Sequence, residues 1–371
     1  MYSNFTLLDG GKNAFDEIIK CIDRAKFTVK INMFIWRADE IGLKLAKSVL
    51  SAANRGVKID ISVDRYGYVL ELCEESMHSF FHTDPTIIEK IKVCFLKLFY
   101  KTKKVKFVDI VECDIIKKEL LNHPNVTIDK DRFKADHSKY YVIDDNILFL
   151  GGINVEDKEI TKDYLGRIYQ DYMVKIVDNR AIDGFFAKMR AEKSLDSSLF
   201  IINKKGEKRL FEMKDAYLNI INDSSEFLYI TMAYFSPDKC ILNAIKNAQK
   251  RGVKVVITIP NSANFQDDLN KKTVKKLLKT NPKNVRVYLS PKMVHTKLIA
   301  SEKQITVGST NVGKKAFNQL DELNLLIENK ECSFSEELFN SIDENRKISK
   351  AVELNDIKYC KIKAFLEGIL M

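Results

Sequence analysis

Ala52–Lys58 reads AANRGVK, and Ala248–Lys254 reads AQKRGVK. Each copy follows a stretch in which apolar residues recur at helical spacing. Each also precedes a β-branched run, Ile59–Val63 in the first copy and Val255–Ile259 in the second. A helix that leads through a glycine turn into a strand is typical of α/β architecture with parallel pairing. We therefore predict that the chain contains two copies of one α/β unit.

The repeat extends upstream of these turns. Phe27–Asp39 (FTVKINMFIWRAD) is echoed by Phe227–Asp238 (FLYITMAYFSPD), so each half is predicted to run strand, helix, turn, strand. A polar stretch around Ala191–Arg209 separates the halves. We expect an N-terminal lobe at 1–195 and a C-terminal lobe at 196–371.

A second duplicated pattern lies downstream of each RGVK turn. Residues 137–154 read HSKYYVIDDNILFLGGIN, and residues 295–311 read HTKLIASEKQITVGSTN. Alternate residues of a strand share one face, so a His-x-Lys pair on a strand directs both side chains the same way. In each copy a turn and a second short strand lead to a glycine and then to an asparagine. The pairs are His137 with Lys139 and His295 with Lys297.

These residue types suit the cleavage of a phosphodiester. Two lysines neutralise phosphate oxygens, and the amides of Asn154 and Asn311 donate hydrogen bonds to them. A neutral histidine attacks phosphorus as a nucleophile, while a protonated one donates to the leaving oxygen. Histidine fills both roles near neutral pH without a large pKa shift. We expect no metal and no other cofactor.

A single His-x-Lys pair is most often a surface accident. The chain has five histidines, and two of them stand in duplicated frames with the same accompanying residues. That coincidence favours a functional reading of both frames. The remaining three, His78, His82 and His123, lack such a frame and are interpreted as ordinary surface or core residues.

At these positions the chain resembles the phospholipase D superfamily, whose signature is HxKxxxxD followed by G-G/S-x-N. The first copy fits fully, and the second departs where Glu302 stands in place of the aspartate. In the family that carboxylate supports the structure of the motif. Glu302 either serves with a longer reach or lies in a plain surface turn. The matching residues besides the histidines, lysines and asparagines are Asp144, Gly151, Gly152, Gly308 and Ser309.

The resemblance also implies an acidic residue downstream of each motif, which orients the histidine of the opposite half-site. Asp171 matches the first position and Glu322 the second, although Asp321 competes with Glu322 for the role. A carboxylate bonded to a ring nitrogen fixes the tautomer and supports the imidazolium. The alternative is that both residues simply begin exposed strands.

The resemblance implies two duplicated α/β lobes, each a mixed β-sheet flanked by helices, with the active site at the lobe interface. It implies that His137 is the nucleophile and that His295 is the acid and then the base. Within the superfamily the chain is most similar to bacterial cardiolipin synthases, on the strength of LLxDG at the start, FIWRAD, both RGVK turns and GGIN.

The two halves differ in one insertion. The RGVK glycine and the motif histidine are 81 residues apart in the first half and 43 in the second. The extra residues fall near 66–122 and include Ile87–Phe107, where apolar residues recur near helical spacing and lysines crowd the end. The segment predicts either an amphipathic basic helix that touches a membrane or a core-packed helix with a solvated lysine face.

The composition favours an anionic binding partner but does not identify which kind. The net charge of +10 and the pI near 9.0 favour an anionic partner, lipid or nucleic acid. Seven scattered cysteines without a CxxC spacing argue against a disulfide framework or a zinc site and fit a reducing compartment. No signal peptide and no apolar run of membrane-spanning length is visible. We expect a cytoplasmic or peripheral membrane protein, with specialised export left open.

The sequence is consistent with three functions. The leading hypothesis is a phospholipase D-type phosphodiesterase or phosphatidyltransferase that acts on glycerophospholipids through a covalent phosphohistidine. A metal-independent nuclease using the same histidines is the alternative, and a non-catalytic scaffold is the third. Since one chain holds both half-sites, we expect a monomer.

Overall fold

The computed structural model divides into two compact units. The N-terminal unit comprises Leu8–Ile182, and the C-terminal unit comprises the chain from Asp183 onwards with the residues before Leu8. Each unit has its own sheet and its own buried apolar cluster. The structure describes residues 4–74, 78–100, 110–163, 165–192, 196–206, 209–280, 283–330 and 332–370.

The N-terminal unit is built on a mixed sheet. In the described part of the chain its strand order is β1-β8-β6-β5-β2-β3-β4. Strands β2, β3 and β4 pair in parallel, while β5, β6 and β8 add antiparallel pairs. The division between the units falls within the first and the last of the elements in this half of the chain. The elements are β1 (Phe5–Asp9), α1 (Gly11–Arg24), β2 (Thr28–Met33), α2 (Glu40–Asn54), β3 (Lys58–Val63), α3 (Arg65–Cys73), α4 (Ile87–Leu96), α5 (Ile110–Asn122), β4 (Val126–Asp129), β5 (Tyr140–Ile143), β6 (Ile147–Gly151), β7 (Tyr169–Gln170), β8 (Tyr172–Ile176) and α6 (Asn179–Met189).

The C-terminal unit repeats this plan. Its sheet, over the residues described, has the order β10-β9-β19-β17-β16-β11-β13-β14-β20, with β11, β13 and β14 parallel and the other pairs antiparallel. The predicted duplication and the mixed sheets are therefore confirmed. The elements are β9 (Phe200–Lys204), β10 (Leu210–Phe211), α7 (Met213–Asp223), β11 (Phe227–Met232), β12 (Phe235–Ser236), α8 (Lys239–Lys250), β13 (Lys254–Pro260), α9 (Asp267–Leu278), β14 (Val285–Ser290), β15 (Met293–Val294), β16 (Lys297–Ser301), β17 (Gln304–Gly308), β18 (Val312–Gly313), α10 (Lys314–Asn318), β19 (Glu322–Glu328), α11 (Ser333–Ile348), β20 (Lys350–Val352) and α12 (Lys361–Leu370).

The RGVK turn has the same structure and the same contacts in both units. Gly56 and Gly252 have φ values of 94° and 98°, a backbone conformation that favours glycine and ends helices α2 and α8. The arginine before each glycine reaches back to the end of an earlier helix. Arg55 donates to the carbonyl of Ile22 at 2.9 Å, and Arg251 donates to the carbonyl of Ile221 at 3.0 Å. The repeated sequence thus encodes a repeated helix-to-helix contact.

The aspartates that end the upstream repeat begin the next helix. Asp39 accepts a hydrogen bond from the backbone N–H of Gly42 and caps α2. Asp238 accepts one from Ile241 and caps α8. A side-chain oxygen satisfies an N–H group that the first helical turn leaves unpaired. The strand-to-helix corner is therefore the same in both units.

The insertion lies between two parallel strands. Helix α9 alone connects β13 to β14, whereas the described residues between β3 and β4 form three helices, α3, α4 and α5. Residues 101–109, which include the lysine-rich end predicted to continue the helix, lie outside the described residues. Helix α4 itself runs from Ile87 to Leu96, about half of the predicted segment.

Helix α4 packs on α3 with one narrow face. Val93 contacts Val69 and Cys73, and Glu89 forms a two-point ion pair with Arg65, with distances of 2.7 and 3.0 Å. Large apolar side chains lie on the opposite face, where solvent reaches them, so the helix is not the core-packed helix with a lysine face that one reading predicted. The exposed residues are Ile87, Ile88, Ile91 and Phe95, followed by Leu98.

The division between the units falls earlier than the expected boundary at 195/196. It follows Ile182, inside α6. The second half of α6 belongs to the C-terminal unit and packs within it: the rings of Phe185 and Phe200 are 5.6 Å apart, and a Cβ on Gly184 would lie 2.6 Å from the backbone of Asp196. The lobe boundary expected at 195/196 stays a prediction.

Helices long and apolar enough to cross a bilayer are absent from the described residues. Every cysteine is a free thiol, as the scattered spacing predicted.

Candidate active site

The N-terminal half-site forms where the chain enters β5. His137 and Lys139 lie just before this strand, which begins at Tyr140, so the prediction that both residues stand on the strand is wrong. Lys139 is fully buried, and its Nζ donates to the carbonyl of His137 at 2.5 Å. The ammonium lies 5.2 Å from the centroid of the Phe34 ring, and the His137 ring meets the same phenylalanine edge-on at 4.7 Å. Phe34 therefore supports both members of the pair.

The C-terminal half-site has the same arrangement. Lys297 is fully buried as the first residue of β16, and His295 precedes the strand. Lys297 Nζ lies 2.9 Å from His295 Nδ1 and also donates to the His295 carbonyl. The ring of Tyr234 meets the His295 ring edge-on at 6.3 Å. The carbonyl contact from lysine to histidine is thus repeated in both units.

The two motif asparagines are both buried and differ in their contacts. Asn154 is buried; its Nδ2 donates to Glu156 Oε1 at 3.3 Å, while its Oδ1 has no hydrogen-bond partner within the described residues. Asn311 is also buried, and its Oδ1 accepts the backbone N–H of Tyr234 at 3.3 Å. Since the Asn311 amide is held by its oxygen, it presents its N–H₂ group as a donor, which is the group that a phosphate oxygen needs.

Asp144 holds the turn of the first motif. Its carboxylate accepts the backbone N–H groups of Lys26, Phe27 and Thr28 at 2.7–3.2 Å, which ties the β5–β6 turn to the start of β2. Asp144 also has a φ of 51°, a left-handed conformation that a short polar side chain tolerates. Its contacts are structural, as the family pattern implied.

Glu302 makes the corresponding contacts in the second motif. It accepts the backbone N–H and hydroxyl of Ser225 at 2.8 and 2.9 Å and reaches the N–H groups of Glu226 and Phe227 at 3.3 and 3.4 Å. Burial opposes its charged form, but its own backbone N–H and the Ser225 contacts outweigh burial and lower the pKa of Glu302. Of the two readings, the geometry fits the longer side chain in the place of Asp144.

The downstream carboxylates both lie against the glycine-rich corner of their own unit. Asp171 is buried just before β8, and a Cβ on residue 152 would fall 2.3 Å from its Oδ2, so Gly152 makes room for the carboxylate. Glu322, also buried, begins β19 and accepts the hydroxyl of Ser309 at 2.5 Å. Neither begins an exposed strand. Asp321 instead accepts the backbone N–H of Lys205, away from Ser309.

A buried ion network behind Asn154 was not predicted. Arg37 Nε lies 2.6 Å from Glu156 Oε2, and Lys158 Nζ lies 3.1 Å from the same oxygen. Both cations also contact Glu74. Burial opposes the charge of Glu156, but Lys158 and Arg37 outweigh burial and lower its pKa. The network fixes the carboxylate that Asn154 contacts. In the sequence, Arg37 is part of the FIWRAD stretch, and nothing there indicates its ion pairs.

The histidines without a motif have structural contacts. His82 is buried, with Nδ1 3.1 Å from Ser79 Oγ and Nε2 2.7 Å from the carbonyl of Lys130; burial lowers its pKa to about 4. His123 contacts Asn54 at 3.1 Å. Clusters of three or more His, Cys, Asp or Glu side chains able to hold a metal do not occur among the residues described.

A comparison with known protein families finds a match in both halves of the chain. The family described as "Cardiolipin synthase, PLD-like domain" matches residues 18–188 and 217–344, well over half of the chain. The chain therefore belongs to this family, within the phospholipase D superfamily.

Curated relatives lie at low identity. A cardiolipin synthase of Clostridium perfringens is 25% identical over 353 residues, which cover 87% of this chain and 66% of that protein. Cardiolipin synthase B of Escherichia coli is 24% identical over 273 residues, which cover 68% of this chain and 59% of that protein. The chain thus spans less than two thirds of the length of either relative.

Among solved structures, the phosphatidylserine synthase of Haemophilus influenzae superimposes with a TM-score of 0.72 at 11% identity. The match covers 99% of this chain and 92% of that one. At that identity it shows the fold, which is the two-lobed mixed α/β fold of the superfamily.

Proposed function

We propose that this chain is a phosphatidyltransferase or phosphodiesterase of the phospholipase D type, acting on glycerophospholipids. One observation carries the proposal. Each unit buries a lysine completely and hydrogen-bonds its ammonium to the backbone of a motif histidine. Removing an ammonium from water costs free energy, and an anionic phosphate offsets that cost. Two buried lysines of this kind are more consistent with binding an anionic phosphodiester than with a role on the protein surface.

The reaction proceeds in two displacements. In the first, an imidazole nitrogen of His137 attacks phosphorus, the bond to the leaving alcohol breaks, and His295 gives that alcohol a proton. In the second, water or an acceptor alcohol attacks the phosphohistidine, the P–N bond breaks, and His295 takes the proton of the attacking hydroxyl. Lys139 and Lys297 stabilise the negative charge that develops on the phosphate oxygens.

Lys297 Nζ lies 2.9 Å from His295 Nδ1, so this nitrogen accepts a hydrogen bond while the ring is neutral. To act as the acid of the first step, His295 must carry a proton on both ring nitrogens, and Nδ1 then no longer accepts from Lys297. Asp171 and Glu322 are proposed to orient the two histidines, as the family pattern implies. Asn154 and Asn311 are proposed to donate their amide N–H groups to the phosphate.

The lipid substrate rests on two supports. The relatives are cardiolipin synthases by name, and the fold is that of a phosphatidylserine synthase. In addition, the exposed face of α4 offers several large apolar side chains, flanked by Lys90, Lys92 and Lys97, which suits contact with a bilayer that holds the substrate. Since both half-sites belong to one chain, the monomer is proposed to be active.

The test uses phosphatidyl-p-nitrophenol, whose leaving group needs no proton. His295→Ala should release a stoichiometric burst of p-nitrophenolate and then stop, because the second step lacks its base. His137→Ala should give neither burst nor covalent labelling by radiolabelled substrate. His123→Ala, a histidine outside both motifs, is the matched control and should turn over like the native chain.

Parallel incubations identify the substrate class. Phosphatidylglycerol, phosphatidylethanolamine and single-stranded DNA are offered separately, with glycerol as acceptor, and the products are read by mass spectrometry. Lipid products that depend on His137 support the proposal, and the ratio of transfer to hydrolysis separates the two activities. Cleavage of DNA alone establishes the nuclease instead. Covalent labelling of His137→Ala removes that residue as the nucleophile.

A further inference from the structure

Helix α12 presents its large apolar side chains to solvent and packs on the protein through Ala364 and Glu367. Ala364 and Glu367 are buried against the unit, and Glu367 accepts the backbone N–H of Leu269 in the first turn of α9 at 2.8 Å. On the other side, large apolar side chains keep between 39% and 72% of their surface exposed. These residues are Ile362, Phe365, Leu366 and Ile369, defined here as the α12 stripe.

The α12 stripe is continuous because its members recur at i, i+3, i+4 and i+7. At 100° per residue, Ala364 and Glu367 fall opposite to it, and Lys361 and Lys363 fall at its two borders. A surface helix normally has its apolar face towards the core. The reversed arrangement indicates a partner that receives apolar side chains.

A basic cleft of about 490 Å³ lies between α9 and the segment that leads into α12. Lys275 is held within it by a 2.6 Å hydrogen bond to the carbonyl of Ile357. None of the residues that line the cleft is acidic, and the nearby Asp268 is engaged by the backbone N–H of Cys360. The lining residues are Lys272, Lys275, Lys276 and Lys279 of α9 with Ile357, Lys358, Tyr359 and Lys361.

We propose that the α12 stripe and this cleft together form a docking surface for a bilayer rich in anionic phospholipid. The stripe enters the boundary between headgroups and acyl chains, and the lysines meet headgroup phosphates. Lys361 lines the cleft and also begins α12 at the border of the stripe, so charge and apolar surface adjoin. The inference rests on the proposed function only in that the substrate is a membrane lipid.

Charge argues against a second copy of the chain as the occupant. In a twofold interface the same surface meets itself. Two copies joined through the α12 stripe would bring one lysine-lined cleft towards its twin, and like charges repel. An anionic bilayer meets the same surface with opposite charge.

The experiment measures flotation of the full chain with vesicles of phosphatidylglycerol and phosphatidylethanolamine, and with vesicles of phosphatidylcholine alone. Phe365→Ser/Ile369→Ser should reduce binding to anionic vesicles by roughly tenfold or more, since two large apolar groups no longer leave water. Lys272→Glu/Lys276→Glu should abolish the preference for anionic vesicles. Val111→Ser/Ile115→Ser on α5, which also removes two exposed apolar side chains four residues apart, is the matched control.

Several results would overturn the proposal. One is native binding by the α12 variant. Another is equal loss in the α5 and α12 variants together with undiminished anionic preference in the lysine variant. A native dimer that the α12 variant converts to a monomer with unchanged flotation assigns the stripe to a second copy.

Turnover of a short-chain phospholipid below its micelle concentration separates this proposal from the proposed function. The α12 variant should keep that activity while losing flotation. If the native chain floats through α12 but turns over no lipid, the docking surface stands and the proposed function fails.

Discussion

At the scale of single residues, Glu302 shows how a motif tolerates one added methylene group. Asp144 and Glu302 accept backbone N–H groups at the start of β2 and of β11. The contacts of Asp144 extend to 3.2 Å and those of Glu302 to 3.4 Å, so the longer side chain holds the same corner less tightly. Each carboxylate joins two segments that are far apart in sequence.

We predict that Glu302→Ala lowers the free energy of unfolding by about 1–3 kcal/mol, because the N–H groups of Ser225 and its neighbours lose their acceptor. Glu302→Gln keeps one accepting oxygen and should lose less. The pKa of Glu302 is lowered in the folded chain, so its contribution is present above the unfolded value and disappears as the pH falls through the folded value. Urea titrations followed by circular dichroism at pH 7 and pH 3 measure both effects.

If the native chain, Glu302→Ala and Glu302→Gln all unfold at the same urea concentration at pH 7, Glu302 does not stabilise the fold and lies in a plain surface turn. Asp144→Ala provides the comparison in the other unit, where the shorter contacts should make the loss larger.

The histidines, lysines and asparagines were predictable because they are close in sequence and repeated. Arg37 was not, since its partner Glu156 is 119 residues away and a buried ion pair leaves no periodic pattern. The contact between Ser309 and Glu322 depended on which way the start of β19 faces, and that decided against Asp321. The short-range pattern therefore predicted the candidate reacting groups, whereas the buried contacts around them depend on long-range packing that the pattern does not contain.

At the scale of helices and strands, the repeat predicted the order of elements better than their ends. The strand, helix and strand around each RGVK turn were confirmed, and their parallel pairing followed. The strand expected at His137 begins only at Tyr140. Tertiary contacts of Lys139 with the His137 carbonyl and Phe34 determine the backbone there, and strand propensity does not contain them.

Helix α12 also carries a buried titratable group, the carboxylate of Glu367. Burial raises its pKa to about 7, although the N–H of Leu269 works in the opposite direction. A carboxyl group whose pKa is raised by folding stabilises the fold fully below its unfolded value near 4.5 and loses that contribution as the pH rises through about 7. Attachment of α12 to α9 should therefore weaken between these two pH values.

We predict that Glu367→Gln flattens the pH dependence of this attachment, since glutamine accepts the same N–H group without a charge. Hydrogen exchange of the α12 amides, followed from pH 5 to pH 8 and corrected for intrinsic rates, should show protection falling in the native chain and constant in the variant. Amides of α1 serve as the internal control. Equal slopes in both chains would mean that Glu367 does not control the helix.

At the scale of the whole molecule, the chain has a net charge of +10, and its lysines lie in two environments, buried and exposed to solvent. Lys139 and Lys297 are fully buried in their half-sites, whereas most of the lysines around the α9 cleft and on α12 are exposed. Dissolved salt screens charges in contact with solvent much more than buried ones, with a Debye length of about 8 Å at 0.15 M and about 3 Å at 1 M. Salt therefore distinguishes membrane docking from chemistry.

We predict that flotation of the native chain with anionic vesicles weakens steeply between about 0.05 and 0.5 M NaCl, as the screening length shortens. Turnover of a dispersed short-chain phospholipid should change far less over the same range, because Lys139 and Lys297, the lysines proposed to bind the scissile phosphate, are buried. The Lys272→Glu/Lys276→Glu chain should show a shallower dependence of flotation on salt, with turnover like that of the native chain. If turnover fell with salt as steeply as flotation, exposed lysines would have to contact the reacting phosphate, and the division between a docking surface and buried half-sites would be wrong.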